Sequence, residues 1–374
     1  MIATPPRPFD QFRAAVMADP TAQAHLAEPY DPAIFQARAT AWAGTRGIRL
    51  DAADFHEAMA ASRTPRIFED WPEEGWLPVR FTAAPEPMLE WLHFSIISPN
   101  APFFDDATGE AACRPFNRLF RIATPINPGI VPRAPTGLVF HMSRCGSTLV
   151  SRMLGAAPGN VSISEASAFD AVLRHDFADV DAHIAALRAL AHAYGRGTAQ
   201  VFFKLDAWHS RALPLLRRAF PETPWIFLYR DPVEVMVSHL RQRGVHTVPG
   251  LIPPSWFGLP AAESQLPDRA FIAHVLERVC GAVIEHGQGE GLLVNYDELP
   301  QAFFTRILPH FGVTPDATAQ AAITAAARRN AKAPDTAFHA DGPAKQREAD
   351  PSLRAAANIV SPVFAKLEAL RTAR

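Results

Sequence analysis

The sequence predicts an α/β fold, a parallel sheet flanked by helices, with a mainly helical region ahead of it. Two observations carry this. From residue 136 onward, short apolar runs of strand type alternate with amphipathic stretches of helical period, the runs being 138–141, 201–204, 225–229 and 292–294. Such alternation builds a sheet whose ligands gather at the carboxyl ends of its strands. The first run also leads, through a polar turn holding Gly146, straight into an amphipathic segment. Strand, anion-binding loop and helix follow one another there.

Residues 1–60 form the helical N-terminal region. Phe9, Phe12 and Val16 share one helical face, Ile34, Phe35, Arg38 and Trp42 recur later, and Asp19-Pro20, Pro29 and Gly47 punctuate the segment. Its Phe9-x-x-Phe12 start, Asp19-Pro20 turn and Gly47-Ile-x-Leu50 end resemble the short helical leader-peptide domain associated with nitrogen-fixation genes; the alternative is a helical cap. Residues 61–135 hold Trp71, Trp76, Trp91, Phe94, Phe103, Phe104 and several prolines without either period. An irregular connector with short helices is expected, its aromatics serving packing. Residues 136–374 make up the α/β domain. Within it, 244–267 carries five prolines, Trp256 and Phe257. That stretch is either a lid or substrate wall, or a static surface loop.

With 374 residues and 48% apolar composition, the chain can bury one large core and a smaller one. Its 36 basic residues against 38 acidic exclude bulk attraction to nucleic acid or an anionic membrane. Any anionic ligand is therefore held locally. Cys113, Cys145 and Cys280 are too few and too scattered for a disulfide framework or a zinc site, which suits a reducing compartment. The N-terminus lacks a basic-then-apolar signal pattern and no apolar run reaches spanning length. A cytoplasmic protein without membrane partners is expected, and no oligomeric state is implied.

The loop after 138–141 departs from the standard nucleoside-triphosphate loop, in which a lysine follows the last glycine. Here Gly146 runs directly into Ser147 and Thr148, and the nearest cation is Arg144, on the other side of the glycine. Backbone N–H groups of Cys145 and Gly146 and of the helix start, with the hydroxyls of Ser147 and Thr148, are suited to cradling a phosphate. Arg144 adds a planar, permanent charge matched to an oxyanion. The plainer role for Arg144 is to cap a helix or pair with a surface acid. A second element, 225–239, is a buried strand ending in Arg230, then Asp231-Pro232 opening a helix that carries Ser238. Arg230 and Ser238 suit a second phosphate, or an ion pair and a solvated hydroxyl.

Together the two elements resemble the P-loop sulfotransferase family, over about residues 136–310, and most closely the tyrosylprotein sulfotransferases and their bacterial relatives. The resemblance implies a three-layer fold and a sulfuryl donor, 3′-phosphoadenosine 5′-phosphosulfate. The first motif would hold its 5′-phosphosulfate, and the second its 3′-phosphate. It also implies that Glu165 is the catalytic base, that Lys204 is a catalytic cation beside Arg144, and that Tyr296 touches the cofactor. The chemistry agrees: sulfuryl transfer needs a proton acceptor, cations for the spreading charge and in-line positioning. The group in flight carries one negative charge, so no metal is required, unlike phosphoryl transfer. Helix capping by Glu165 and a snorkelling Lys204 are the structural alternatives.

Other bases and cations are weighed beside these. Asp206 stands where cytosolic sulfotransferases carry their basic histidine, which leaves His209 in reserve, and His141 reads as a strand-end residue with a satisfied ring. The C-terminal Arg-Lys-Gly motif of the cytosolic sulfotransferases is absent, with Arg328, Arg329, Lys332, Lys345 and Arg347 in the replacing region; they are either a solvated basic surface or its substitute, with Lys345 taken as the cofactor contact. The secretory membrane anchor of the tyrosylprotein sulfotransferases is not expected here either, so their substrate does not carry over. The acceptor, a hydroxyl or amine of a small molecule or peptide, is unspecified. Rival functions are a small-molecule P-loop kinase and a nucleotide-binding regulatory or peptide-binding protein without transferase activity.

Overall fold

The structure, a computed structural model, describes residues 7–62, 64–126, 132–287, 290–329 and 341–373. The chain divides into two compact units, one of Met1–Arg133 with Ala166–Gly197 and the other of Ala134–Glu165 with Thr198–Arg374.

The N-terminal unit begins with helices Pro8–Met17, Pro20–Ala27, Pro32–Gly44 and Ala52–Ala61. Asp19, Asp31 and Asp51 cap the last three by accepting first-turn amides, which satisfies donors a helix start leaves open. Phe9, Phe12 and Val16 are all buried. The later apolar face differs from expectation: Phe35 is buried, but Ile34 is exposed.

The segment 61–135 is not the irregular connector its composition suggests. It holds a four-stranded sheet of β1 (Arg66–Ile67), β2 (Trp76–Thr82), β3 (Met88–His93) and β4 (Ile122–Pro125), in the order β1-β4-β3-β2. β3 is antiparallel to both β2 and β4, and β1 is parallel to β4. Pro78 hid β2 from a sequence reading. It is tolerated because β2 lies at the edge of the sheet and its register shifts between Pro78 and Arg80. The aromatics do pack: Trp76 and Trp91 are fully buried, and their indole N–H groups donate to Gln23 and Thr124. Helices Ser167–Arg174 and Val180–Gly195 belong to this unit rather than to the α/β core.

The second unit is built on β5 (Gly137–His141), β6 (Asn160–Ser164), β7 (Gln200–Lys204), β8 (Trp225–Tyr229) and β9 (Leu292–Asn295). All four pairings are parallel, in the order β6-β7-β5-β8-β9. β5 and β8 are buried along their whole length, as strands covered on both faces must be. β6 was not among the apolar runs, because its Asn-Val-Ser-Ile-Ser alternates. Ser162 and Ser164 share hydrogen bonds with Ser151 of helix Ser147–Gly155, at 2.8 and 2.6 Å. The central β5 sits between β7 and β8: the chain lays β6 and β7 on one side of it and then crosses to lay β8 and β9 on the other. A crevice opens at such a switch point.

The proline-rich stretch 244–267 forms three short 3-10 turns and buries Ile252, Phe257 and Leu259. Among the described residues, no helix is long and apolar enough to cross a membrane.

Candidate active site

Each of the five parallel strands delivers a polar residue at its carboxyl end. β5 ends in His141 and the loop to Gly146, β6 leads into Glu165, β7 ends in Lys204, β8 leads into Arg230 and β9 leads into Tyr296. Parallel pairing places these ends along one rim of the sheet. The backbone there is unusual. Ser143, Arg144 and Glu165 have φ of 78°, 52° and 50°, a left-handed conformation that costs a non-glycine residue roughly 1–2 kcal/mol. Gly146, at φ 85°, makes the final turn into the helix.

At the β6–β7 corner, the Lys204 ammonium donates to Glu165 Oε1, and the Glu165 amide donates to the Lys204 carbonyl at 2.8 Å. The lysine side chain is 1% exposed. A cation so buried is tolerable only with its partner in place. His141 stands on the other side of the carboxylate, Nε2 lying 3.3 Å from Glu165 Oε1. Its Nδ1 accepts from the Ser143 amide at 3.0 Å, which leaves the ring proton on Nε2. Burial pushes Glu165 upward, but the Lys204 charge and the His141 ring outweigh it and hold its carboxyl well below the usual carboxylate range. Burial lowers His141 against the pull of Glu165. The corner is thus an ionised carboxylate between an ammonium and a neutral imidazole.

Arg144 reaches a helix end in this structure. Its guanidinium donates to the Gln242 carbonyl, at the C-cap of helix Pro232–Arg241. Cys145 is buried, its thiol donating to Leu228 O at 3.1 Å, and burial pushes its pKa up to about 12. Only its backbone amide is available to an anion. Ser147 and Thr148 are buried at the helix start, where first-turn amides have no intrahelical acceptor.

The second cluster lies beyond Gly146. A Cβ on Gly146 would come within 2.9 Å of both Tyr296 and Leu299, so Tyr296 closes directly over the loop. The Arg230 guanidinium lies 3.8 Å above the centre of the same ring. Arg230 bonds Glu234 at 2.7 Å and Asp341 at 2.7 Å. Asp341 also takes the Lys345 ammonium at 2.7 Å. Loop, aromatic ring and two cations form a continuous track. Ser238, a turn beyond Glu234, donates back to the Glu234 carbonyl at 2.8 Å.

Of the described basic residues in the replacing region, the structure brings Lys345 alone to Arg230, through their shared Asp341. Lys345 is 5% exposed, whereas Arg328, Arg329 and Arg347 are exposed. Lys332 lies outside the described residues. His209 accepts from the Asp206 amide through Nδ1 at 3.2 Å and caps the turn after β7, so its ring is engaged in holding that turn. His141, read from sequence as a satisfied strand end, is instead a member of the β6–β7 corner. His246 was missed altogether. It is buried, its Nε2 has no hydrogen-bond partner among the described residues, and burial holds its pKa at about 3, with His141, Glu165 and Arg144 near enough to act on it. Glu234 and Asp341 were missed as well, although the i, i+4 spacings Arg230–Glu234 and Asp341–Lys345 were readable.

No family model and no curated protein matches the chain. Solved structures do. The sulfotransferase domain of the Synechococcus PCC 7002 olefin synthase is 16% identical over 63% of this chain and 97% of that one, at a TM-score of 0.39. A sulfotransferase from Alicyclobacillus acidocaldarius is 16% identical over 64% and 96%, at 0.37. One from Mycobacterium tuberculosis is 16% identical over 52% and 72%, at 0.36.

Proposed function

We propose that this chain is a sulfotransferase, moving a sulfuryl group from 3′-phosphoadenosine 5′-phosphosulfate to a hydroxyl or amine acceptor. The observation that carries the reading is the convergence at the strand ends. One end of the track has an ionised carboxylate touching a buried lysine; the other has two cations already holding an anionic group, with an aromatic ring between. The residues fit such a donor. A helix-start cradle suits its 5′ end, and Arg230 with Lys345 suits a 3′-phosphate. The resident Asp341 carboxylate supports the view that this spot takes an anion.

The donor supplies an activated sulfur whose bond to the 5′-phosphate oxygen breaks as the acceptor's bond forms. Glu165 takes the proton leaving the acceptor. Lys204 faces two anions in turn, Glu165 before reaction and the leaving oxygen during it. When its charge turns to that oxygen, Glu165 loses the partner that depresses its basicity, so proton acceptance strengthens as the leaving group departs. The His141 ring stands beside the carboxylate, its Nε2 3.3 Å from Oε1 without a formed hydrogen bond. Arg144, now on Gln242, would need to release that carbonyl to stabilise the sulfuryl oxygens. The reducing-compartment composition supports a cytoplasmic setting, and the turns of 244–267 supply a wall for the acceptor.

The test is calorimetric titration with adenosine 3′,5′-bisphosphate, the expected product, alongside ATP with magnesium. Bisphosphate binding that Arg230→Ala weakens at least tenfold, without an ATP signal, is the expected outcome. ATP binding in the absence of bisphosphate binding would overturn the reading in favour of a kinase.

A further inference from the structure

We propose that Asp341 is an internal stand-in for the donor's 3′-phosphate, and so sets how much affinity that phosphate adds. This rests on the sulfuryl-transfer reading of the same site. The Asp341 carboxylate uses both oxygens, Oδ1 on the Arg230 guanidinium and Oδ2 on the Lys345 ammonium, each at 2.7 Å. Two cations converging on one anion is the arrangement a bound phosphate would need. The partners differ in setting. The side chains of Arg230 and Lys345 are 4% and 7% exposed, while that of Asp341 is 42% exposed. The cations are fixed in the unit and the carboxylate reaches them from the solvent side. Of the three side chains, the half-exposed carboxylate is the one with a route into solvent, although Lys345 lies on the same short helix.

Glu234 differs from Asp341 in the same way. It is buried one turn along the helix from Arg230 and pairs with it independently. Arg230 therefore keeps one carboxylate after Asp341 departs, and Lys345 keeps none among the described contacts. A 3′-phosphate entering the track must displace Asp341 and take over both cations. Exchange of one carboxylate for a phosphate nets less affinity than binding to two open cations would. The bisphosphate product is accordingly held less tightly than the pair of cations would allow, which favours its release. A nucleotide without a 3′-phosphate leaves Asp341 where it is.

The experiment is calorimetry of the full chain and of Asp341→Asn with two probes, adenosine 3′,5′-bisphosphate and adenosine 5′-monophosphate. Removing the competing charge is expected to tighten the bisphosphate roughly tenfold or more and to leave the monophosphate within about twofold. Asp341→Ser serves as a second variant with the same expectation, should the asparagine variant lack a cooperative melt. Equal bisphosphate affinity in wild type and variants, or an equal gain for both probes, overturns the stand-in role while the donor site survives. A failure of the bisphosphate to bind any of the folded proteins overturns the donor site itself, and the stand-in with it.

Discussion

The two ends of the track use the same pairing, a buried cation on a carboxylate, but the carboxylate comes from different places. At the end where we propose the sulfuryl group lies, Glu165 sits in left-handed backbone directly after β6, tied to β7 by its own amide and bounded by His141. At the other end, Asp341 is half-exposed and opens the short helix Gly342–Glu348. The first carboxylate is fixed by the sheet, and the proposed mechanism makes it the proton acceptor. The second is held chiefly by the two cations it neutralises. A fixed carboxylate can orient a proton acceptor; a replaceable one can hold a place for a ligand.

The contrast is broken most forcefully by removing the cations. Lys204→Ala leaves Glu165 charged and without its ammonium in a buried corner, and is expected to cost roughly 3–5 kcal/mol. Lys345→Ala removes the partner of a half-exposed carboxylate, and its loss of charge pairing is expected to cost only about 1 kcal/mol. Denaturant unfolding of both variants checks this. Equal losses would mean that the two pairs are energetically alike. Next in size is Glu165→Gln, whose amide still accepts from Lys204 but takes no proton. Donor turnover should fall by about 10²–10⁴-fold, with the affinity for adenosine 3′,5′-bisphosphate unchanged. Gly146→Ala strikes the join between the ends. It meets a φ of 85° and the Tyr296 and Leu299 side chains, so about 1–2 kcal/mol of stability is expected to go, and bisphosphate affinity with it.

Much of this rim was legible because strand ends are legible. The apolar runs 138–141, 201–204, 225–229 and 292–294 end at or just ahead of His141, Lys204, Arg230 and Tyr296, and so announce polar residues at the carboxyl edge of a parallel sheet. Glu165 was singled out by resemblance, its strand being too polar to register as an apolar run. What sequence hid was partnership. Asp341 lies 111 residues from Arg230 and Gln242 lies 98 from Arg144, and nothing in local pattern links residues so far apart. The sheet of β1–β4 was hidden for another reason. Pro78 and the short β1 and β4 break the alternation that marks strands.

The smallest effect separates the two carboxylates by pH. Glu165 is depressed in the native state, against an unfolded value of about 4.3. Its contribution to stability is therefore complete above that unfolded value, and is lost as pH falls toward the lower native one. Asp341 is depressed too, burial opposing and Lys345 and Arg230 prevailing, but its exposure screens the gain. Across the acid range below about pH 4, Glu165→Gln should flatten the fall of melting temperature noticeably, and Asp341→Asn should barely alter it. Melting curves of wild type and both variants between neutral and acid pH measure this directly. If Asp341→Asn flattens the curve as much as Glu165→Gln does, Asp341 is as firmly built in as Glu165 and is no longer a ready place-holder for a phosphate.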